Sequence, residues 1–186
     1  MCIRDRGNTG ALITKFAAGF QAGAKSVDKS IKVDLKFLTE DPSDINKSFY
    51  NKPGAKQAAE GMIDNGADVI FQAAGDSGIG AIEAIVEAGE GHWAIGVDSD
   101  QYNTVASDQQ PYILTSMLKR VDTAIYEFIK AFDAGSPPSG AQVYDIKVDG
   151  VGYSKSGGFV DDIAGQLDKA VEQLKSGDVV APTKLN

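Results

Sequence analysis

The chain has 186 residues, of which 42% are apolar and 24% are charged, a composition typical of a globular protein with one or two domains. Its formal charge of −8 argues against a nucleic-acid partner, because such a partner needs a basic surface. One cysteine and one histidine exclude an internal disulfide and a Cys/His zinc cage, and no apolar run is long enough to predict a membrane span.

The first six residues do not look like the start of an exported protein. They lack the apolar stretch of a signal peptide, and Cys2 lacks the upstream segment that a lipid-accepting cysteine requires. We interpret residues 1–6 as a scar that is not native to the protein, and we expect the ordered chain to begin with a helix from Gly7. Since an α/β chain ordinarily begins with a strand, we interpret the sequence as an N-terminally truncated piece.

The first elements follow from hydrophobic periodicity. Leu12, Phe16 and Phe20 recur at i, i+4 spacing and predict an amphipathic helix. Residues 31–37 alternate strictly between apolar and polar, which predicts a strand near a sheet edge. The polar stretch over residues 39–52 predicts a loop.

A helix is predicted to begin at Pro53 and to end before Gly66. Residues 68–74 are mostly apolar without alternation, as expected for a strand covered on both faces. A glycine-rich turn over residues 75–80 leads into a further helix, and residues 93–98 predict the next buried strand.

The last third of the chain is predicted to change pattern. Residues 112–116 form a strand, and a helix follows through Leu118 to Phe132. Val143–Val148 is predicted as a strand that turns at Asp149-Gly150 into a hairpin partner over residues 151–153. A final helix ends the pattern.

The order of elements predicts the α/β class, an open parallel sheet with helices on both faces. The sheet occupies the first two-thirds of the chain, and the remainder need not share it. In such a sheet, ligands bind outside the carboxyl ends of the strands.

Five residues at the predicted strand ends are candidates for ligand binding. Asp98 can accept hydrogen bonds from two vicinal hydroxyls, and Phe71 can stack on a base. The candidate set is Phe71, Gly75, Asp76, Asp98 and Lys119. Together they suit a small, polyhydroxylated and partly aromatic ligand.

Each candidate also has a purely structural explanation. Phe71 lies inside an apolar strand and is equally consistent with a core residue. Asp98 can belong to the turn after its strand, Lys119 can be a solvated surface residue, and the glycines can simply permit a tight turn.

Enzyme motifs are absent from the sequence. It contains neither a G-x-x-x-x-G-K-[ST] phosphate loop nor a G-x-S-x-G nucleophile elbow. The glycines after residue 74 are ordered G-x-x-G-x-G, the reverse of the dinucleotide fingerprint. We therefore predict no catalytic, cofactor-binding or metal-binding residue and no cofactor.

Four stretches of the chain, in the same order, resemble the basic membrane protein family of ABC-transporter substrate-binding lipoproteins, in its PnrA-like purine-nucleoside group. The stretches are residues 16–24, 65–75, 94–101 and 114–122. The resemblance implies a two-lobed fold of the type I periplasmic-binding-protein kind that closes on a nucleoside. Residues 7–116 would form the second lobe, and residues 117–186 would form the hinge return, part of the first lobe and a C-terminal helix.

The same resemblance implies a role for each candidate. Phe71 would stack on the base, Asp98 would take the ribose hydroxyls, Lys119 would add a polar contact, and the backbone at Gly75 would approach the ligand. Asp76 stands where relatives often carry a second glycine, so the ligand preference stays open. The Asp and Phe contacts of the family's first lobe have no counterpart in this sequence.

The leading hypothesis is a non-enzymatic receptor that captures a nucleoside and delivers it to a membrane permease. The full-length parent would be exported to the periplasm or cell surface and anchored there by lipid. Two other hypotheses stay open, a ligand-sensing regulatory domain and, less favoured by the glycine order, a dinucleotide-dependent enzyme.

Overall fold

A six-stranded sheet forms the centre of the protein, in the strand order β2-β1-β3-β4-β5-β6. The computed structural model describes residues 2–6 and 9–185, with side chains from residue 9 onward. The strands are β1 (Cys2–Arg6), β2 (Val33–Phe37), β3 (Val69–Ala73), β4 (Trp93–Asp98), β5 (Ile113–Lys119) and β6 (Val151–Tyr153). The first five are parallel and β6 pairs antiparallel with β5, which confirms the predicted α/β class.

Helices cover both faces of this sheet. They are α1 (Ala11–Val27), α2 (Ile45–Phe49), α3 (Lys52–Asp64), α4 (Gly78–Ala88), α5 (Val121–Asp133) and α6 (Ala164–Ser176). On one face, Phe16 and Phe20 of α1 pack against Phe71 and Val97. On the other face, α3 and α4 enclose a core around Ile70. The carboxyl ends of β3, β4 and β5 therefore lie beside α1, with Phe49 of α2 also close to them.

The start and end of α3 show why the sequence folds locally as predicted. The Asn51 side chain accepts a hydrogen bond from the Gly54 backbone N–H at 3.1 Å, and Pro53 occupies the first turn. Gly66 follows the helix at a φ of 88°, a conformation that glycine adopts without a steric penalty. The short helix α2 lies within the stretch that was predicted as a loop.

The prediction that the ordered chain begins with a helix is wrong. Cys2–Arg6 forms a parallel strand between β2 and β3, where its backbone groups complete the hydrogen-bonded ladder. Its sequence contains no apolar run that would predict a central strand. Helix α1 begins at Ala11, and the predicted start at Gly7 lies outside the described residues. The interpretation of residues 1–6 as a scar stays a prediction.

The predicted strand over Val143–Val148 and its hairpin are also wrong. Residues 141–145 are irregular, and Ile146–Val148 forms a single 3₁₀ turn beside α6. Gly150 lies so close to the Tyr144 backbone that a Cβ there would overlap the Tyr144 carbonyl oxygen. Strand β6 begins directly after this contact, pairs with β5 and so shares the main sheet.

Helix α5 carries the predicted apolar stripe from Val121 to Phe132 but buries none of it, and the prediction that Leu118 belongs to this helix is wrong, because Leu118 lies in β5. Five apolar side chains follow the helical spacing i, i+4, i+7, i+8 and i+11. These residues, which we call the α5 apolar face, are Val121, Ile125, Phe128, Ile129 and Phe132, and they are 46–66% exposed. Within the described part of the chain, no element covers this face.

Candidate functional site

Two of the five predicted site residues are joined by an ion pair. Asp98 ends β4, and Lys119 ends the neighbouring parallel strand β5. The Lys119 Nζ lies 2.7 Å from the Asp98 Oδ1, and each side chain is about half exposed. Because the pair is open to solvent, it contributes at most about 1 kcal/mol to stability. A ligand that offers hydroxyl donors to Asp98 can therefore compete with Lys119 at small cost.

The Asp98 backbone adopts an uncommon conformation. Its φ is 67°, and the Ser99 N–H donates to the Val97 carbonyl at 2.8 Å, which closes a three-residue γ-turn around Asp98. Residues other than glycine seldom adopt a positive φ, and such strain is frequently found at functional sites. The turn sets the carboxylate at the rim of the sheet.

An apolar cavity of about 620 Å³ adjoins this ion pair; we call it the main cavity. Its walls come from α1, from the four strands β3 to β6 and from the segment before β6. They include Phe16, Phe20, Phe71, Met117, Lys119 and Tyr144. Its volume lies within the range of small-molecule sites, which are mostly apolar with a few polar groups.

A second cavity of about 240 Å³ continues from the main cavity to Asp98; we call it the side cavity. Leu12, Phe16 and Lys119 line both cavities, so the two spaces are neighbours. Gly75 and Asp98 line the side cavity. The fold thus brings an aromatic ring and a carboxylate to adjoining parts of one open space, as the sequence analysis expects.

Phe71 serves both the core and the cavity wall. Its ring is only 5% exposed and lies 5.1 Å from the Phe20 ring, tilted by 34°. It also packs with Ala73 and Val97. The structural interpretation of Phe71 as a core residue is therefore correct, and the surface that it offers to a ligand is small.

The glycine-rich turn forms the lip of the side cavity. Gly75 has a φ of 56° and faces the Phe49 ring. The Asp76 carboxylate points toward Lys52, at 3.7 Å from its Nζ, and lines a separate recess of about 220 Å³ that also contacts Gly75 and Asp98. Asp76 lines neither the main cavity nor the side cavity, unlike the other four candidates.

Several residues that line the main cavity were not predicted from the sequence. The apolar stripe of α1 predicts a helix, but it does not indicate that Phe16 and Phe20 reach the strand ends. Tyr144 lies in the segment that was wrongly predicted as a strand. Met117 could have been inferred from Lys119, since a residue two positions before Lys119 lies on the same face of a strand.

A cluster of groups with shifted pKa values lies away from the cavities, where β6 meets α6. Asp168 Oδ1 accepts a hydrogen bond from the Tyr153 hydroxyl at 2.6 Å, and Oδ2 accepts one from Lys155 Nζ at 3.0 Å. These bonds, chiefly the one from Tyr153, lower the pKa of Asp168. The pKa of Lys155 is raised, mainly by its bond to Asp168.

The polar side chains that line the main and side cavities are Asp98 and Lys119, which neutralise each other, together with Lys15 and Tyr144, beside apolar walls. In the described residues, no cluster of three or more His, Cys, Asp or Glu side chains could hold a metal ion. No helix in that part of the chain has the length and apolar character needed to cross a membrane.

Comparison with known proteins identifies the family. The chain matches the family model for Bmp, ABC transporter substrate-binding protein PnrA-like, over residues 5–184. The ABC transporter nucleoside-binding protein BmpA of Lactococcus lactis subsp. cremoris is 30% identical, over 93% of this chain and 50% of the relative. The chain spans about half the length of the curated relatives it matches.

Solved structures support the fold. A solute-binding protein of an ABC transporter system from Conexibacter woesei has a TM-score of 0.76 at 20% identity, over 98% of this chain and 57% of that one. A transcriptional activator of the comK gene from Bacillus halodurans has the same TM-score at 21% identity, over 98% and 58%. The likeness to these structures shows the fold alone, and the family model shows the family: the chain belongs to the Bmp family of PnrA-like ABC-transporter substrate-binding proteins.

Proposed function

We propose that this chain provides much of the ligand site of a receptor for an ABC importer. The ligand is a nucleoside, in the first place a purine nucleoside, and the receptor delivers it to a membrane permease without chemical change. The name of the relative from Lactococcus lactis, a nucleoside-binding protein, supports this ligand class. Family membership supports a place outside the cytoplasmic membrane, and we propose that the full-length parent is held there by lipid.

One observation carries the proposal: a half-exposed carboxylate, Asp98, stands at the end of an apolar cavity that contains a buried aromatic ring, Phe71. A nucleoside has the matching parts, a flat apolar base and a ribose with two vicinal hydroxyls. The base would lie in the main cavity against Phe71, and the hydroxyls would donate to Asp98. Lys119 lines both cavities and would hold the Asp98 carboxylate or a polar group of the ligand.

The energies of these contacts call for a second wall. Two charge-assisted hydrogen bonds at about 1.5–3 kcal/mol each and one stacked base at about 1–3 kcal/mol are offset by the cost of association. A micromolar site needs about 8 kcal/mol net. We therefore propose that a second lobe closes over the ligand, and that closure follows because the ligand binds the closed state better than the open one.

The α5 apolar face supports a division of the chain between two lobes. Exposed apolar patches on soluble proteins mark interaction surfaces. We propose that residues 7–116 belong to the second lobe, and that residues 117–186 return through a hinge, with α5 resting on the first lobe. In that arrangement Lys119 stands at the hinge, where it can respond to both the ligand and closure.

An NMR titration of this chain with inosine, guanosine and adenosine tests the ligand class, because it detects weak binding as well as tight binding. We expect saturable shifts of backbone signals around Gly75, Asp98 and Ser99. Asp98→Ala should weaken inosine binding more than tenfold, since it removes both bonds to the ribose.

Asp149→Ala is a matched control for this substitution. Asp149 also has a positive φ, of 54°, and also pairs with a lysine, 3.0 Å from the Nζ of Lys175, but it lines neither cavity. It should leave inosine affinity unchanged. If Asp98→Ala binds inosine as tightly as the control does, the ribose role of Asp98 is wrong, and if none of the three nucleosides shifts any signal, the ligand class is wrong.

A further inference from the structure

A buried network of two amide side chains lies beneath Asp98. Gln72 is fully buried in β3, and its Nε2 donates a hydrogen bond to the Oε1 of Gln101. The same Gln101 oxygen accepts the Val97 backbone N–H at 3.0 Å. Gln101 therefore holds, through its side chain, the residue that immediately precedes Asp98.

The backbone of Gln101 is anchored as well. Its N–H donates to the Oγ of Ser116 at 3.0 Å, and Ser116 is fully buried in β5. The end of β4 and the loop after it, from Val97 to Gln101, are thus tied to β3 and β5, the strands on either side of β4. Asp98 is the residue of this loop that turns outward to the ion pair with Lys119.

Two glycines make room for these amides. A Cβ on Gly96 would lie 2.6 Å from the Gln101 Oε1 and 2.5 Å from the Ser116 Oγ. A Cβ on Gly78 would overlap the Gln72 Oε1. The space around the network is therefore narrow, and a side chain larger than glycine at position 78 or 96 would force one of the two glutamine side chains to move.

This arrangement explains how the positive φ of Asp98 persists. Strained backbone conformations survive only where the surroundings over-determine them. Here the Val97 N–H is held by Gln101 and the Val97 carbonyl by the Ser99 N–H, so both hydrogen-bonding groups of the residue before Asp98 are engaged. Loss of the Gln101 acceptor frees the first of these anchors.

We propose that Gln101 is a positioning residue for Asp98: its amide oxygen, held by Gln72 and the Val97 N–H, fixes the γ-turn that presents the carboxylate to a ligand diol. This inference rests on the proposed function for the ligand itself, but the backbone part of it is independent of any ligand. Gln101 lines the recess beside Asp76 and does not line the main cavity, so it acts through Asp98 rather than by direct contact with the base.

The first test uses Gln101→Met, which keeps the length of the side chain and removes the acceptor. A positive φ brings the amide proton and the Hα of one residue close together, so Asp98 should give a strong intraresidue NOE between them in the original protein. We expect this NOE to weaken in Gln101→Met. Gln109→Met is the matched control, because Gln109 Oε1 also accepts a backbone N–H, that of Ala106 at 3.3 Å, in a different loop.

The second test compares inosine with 2′,3′-dideoxyinosine, which has the same base but no diol. We expect Gln101→Met to weaken inosine binding about tenfold, because the diol loses a hydrogen bond to Asp98. Binding of the dideoxy compound should stay nearly unchanged, because it has no diol to lose that bond. A purely structural role would weaken both compounds alike. Gln101→Glu retains an acceptor oxygen and should recover most of the preference for inosine.

A double variant keeps the inference testable if Gln101→Met alone fails to fold. Gln101→Met leaves the buried Gln72 amide without its acceptor, whereas Gln72→Met combined with Gln101→Met removes both polar partners and should fold more readily. The inference is overturned if a folded variant keeps the Asp98 NOE, or if it loses inosine and dideoxyinosine affinity equally. If the original chain binds neither compound, the nucleoside proposal fails, and the NOE alone decides the positioning of Asp98.

Discussion

Substitution of Gly80 by alanine tests the packing that supports the lip of the site. Gly80 lies in the first turn of α4, directly after the 3₁₀ turn Gly75–Ser77. A Cβ at this position would overlap the carbonyl oxygen of Lys52, at the start of α3. It would also lie 2.9 Å from the carbonyl carbon of Lys52 and 3.1 Å from the Lys56 backbone nitrogen. The neighbours are backbone atoms, so no side chain can move aside.

The size of the effect follows from these distances. Ordinary contact begins at 3.4 Å and the Lys52 carbonyl oxygen is the nearest atom, so α3 and α4 must separate by about 1 Å or more before the methyl group fits. Overpacking of a closely packed interior costs about 1–3 kcal/mol, and a backbone clash belongs at the upper end. Alanine returns about 1 kcal/mol through its higher helix propensity. We expect a net loss of about 2 kcal/mol, which lowers the Tm of a chain of this size by about 4–8 °C.

Urea unfolding followed by circular dichroism measures this change, with Gly61→Ala as the control. Gly61 lies inside α3, and a Cβ there meets no atom within 4 Å. Gly61→Ala should therefore raise the free energy of unfolding by about 0.5–1 kcal/mol. The reasoning is refuted if Gly80→Ala unfolds at the same urea concentration as the original protein or at a higher one.

Three further predictions concern other parts of the molecule. Ile129→Ser together with Phe132→Ser on the α5 apolar face should change the free energy of unfolding by less than about 0.5 kcal/mol and should reduce binding of the dye ANS; a large loss of stability would mean that the face is already covered. Tyr153→Phe should raise the pKa of Asp168 toward its ordinary value in a carboxyl NMR titration. Because folding lowers this pKa, the hydrogen bonds to Asp168 stabilise the folded state at pH values above the ordinary carboxyl pKa, and this stabilisation is lost as the pH falls. An unchanged pKa in Tyr153→Phe would contradict the assigned cause. Phe71→Leu should weaken inosine binding about fivefold or more through loss of stacking, and equal affinity would exclude a stacked base.

The central strands could be predicted from the sequence because their environment leaves a strong pattern. Residues 69–73 are almost entirely buried and residues 93–97 are buried or half-buried, so both segments read as apolar runs bounded by glycine or polar turns. The rule that ligands bind at the carboxyl ends of parallel strands then sufficed to select Asp98 and Lys119 before their ion pair was known.

Other features leave no such pattern. Strand β1 is held by backbone hydrogen bonds between two neighbouring strands, and these bonds make no demand on its side chains. The segment over residues 143–148 was predicted as a strand, but β6 pairs with the free edge of β5, and Ile146–Val148 forms a 3₁₀ turn beside α6. The γ-turn at Asp98 depends on Gln72 and Gln101, which are 29 residues apart, so no local rule predicts it.

A crystal structure of this chain with inosine tests the central claim most directly. The account predicts the base in the main cavity beside Phe71 and the 2′- and 3′-hydroxyls within hydrogen-bonding distance of the Asp98 carboxylate, at about 2.5–3.0 Å. Inosine bound elsewhere on the molecule, or bound in the main cavity with its ribose turned away from Asp98, would contradict it.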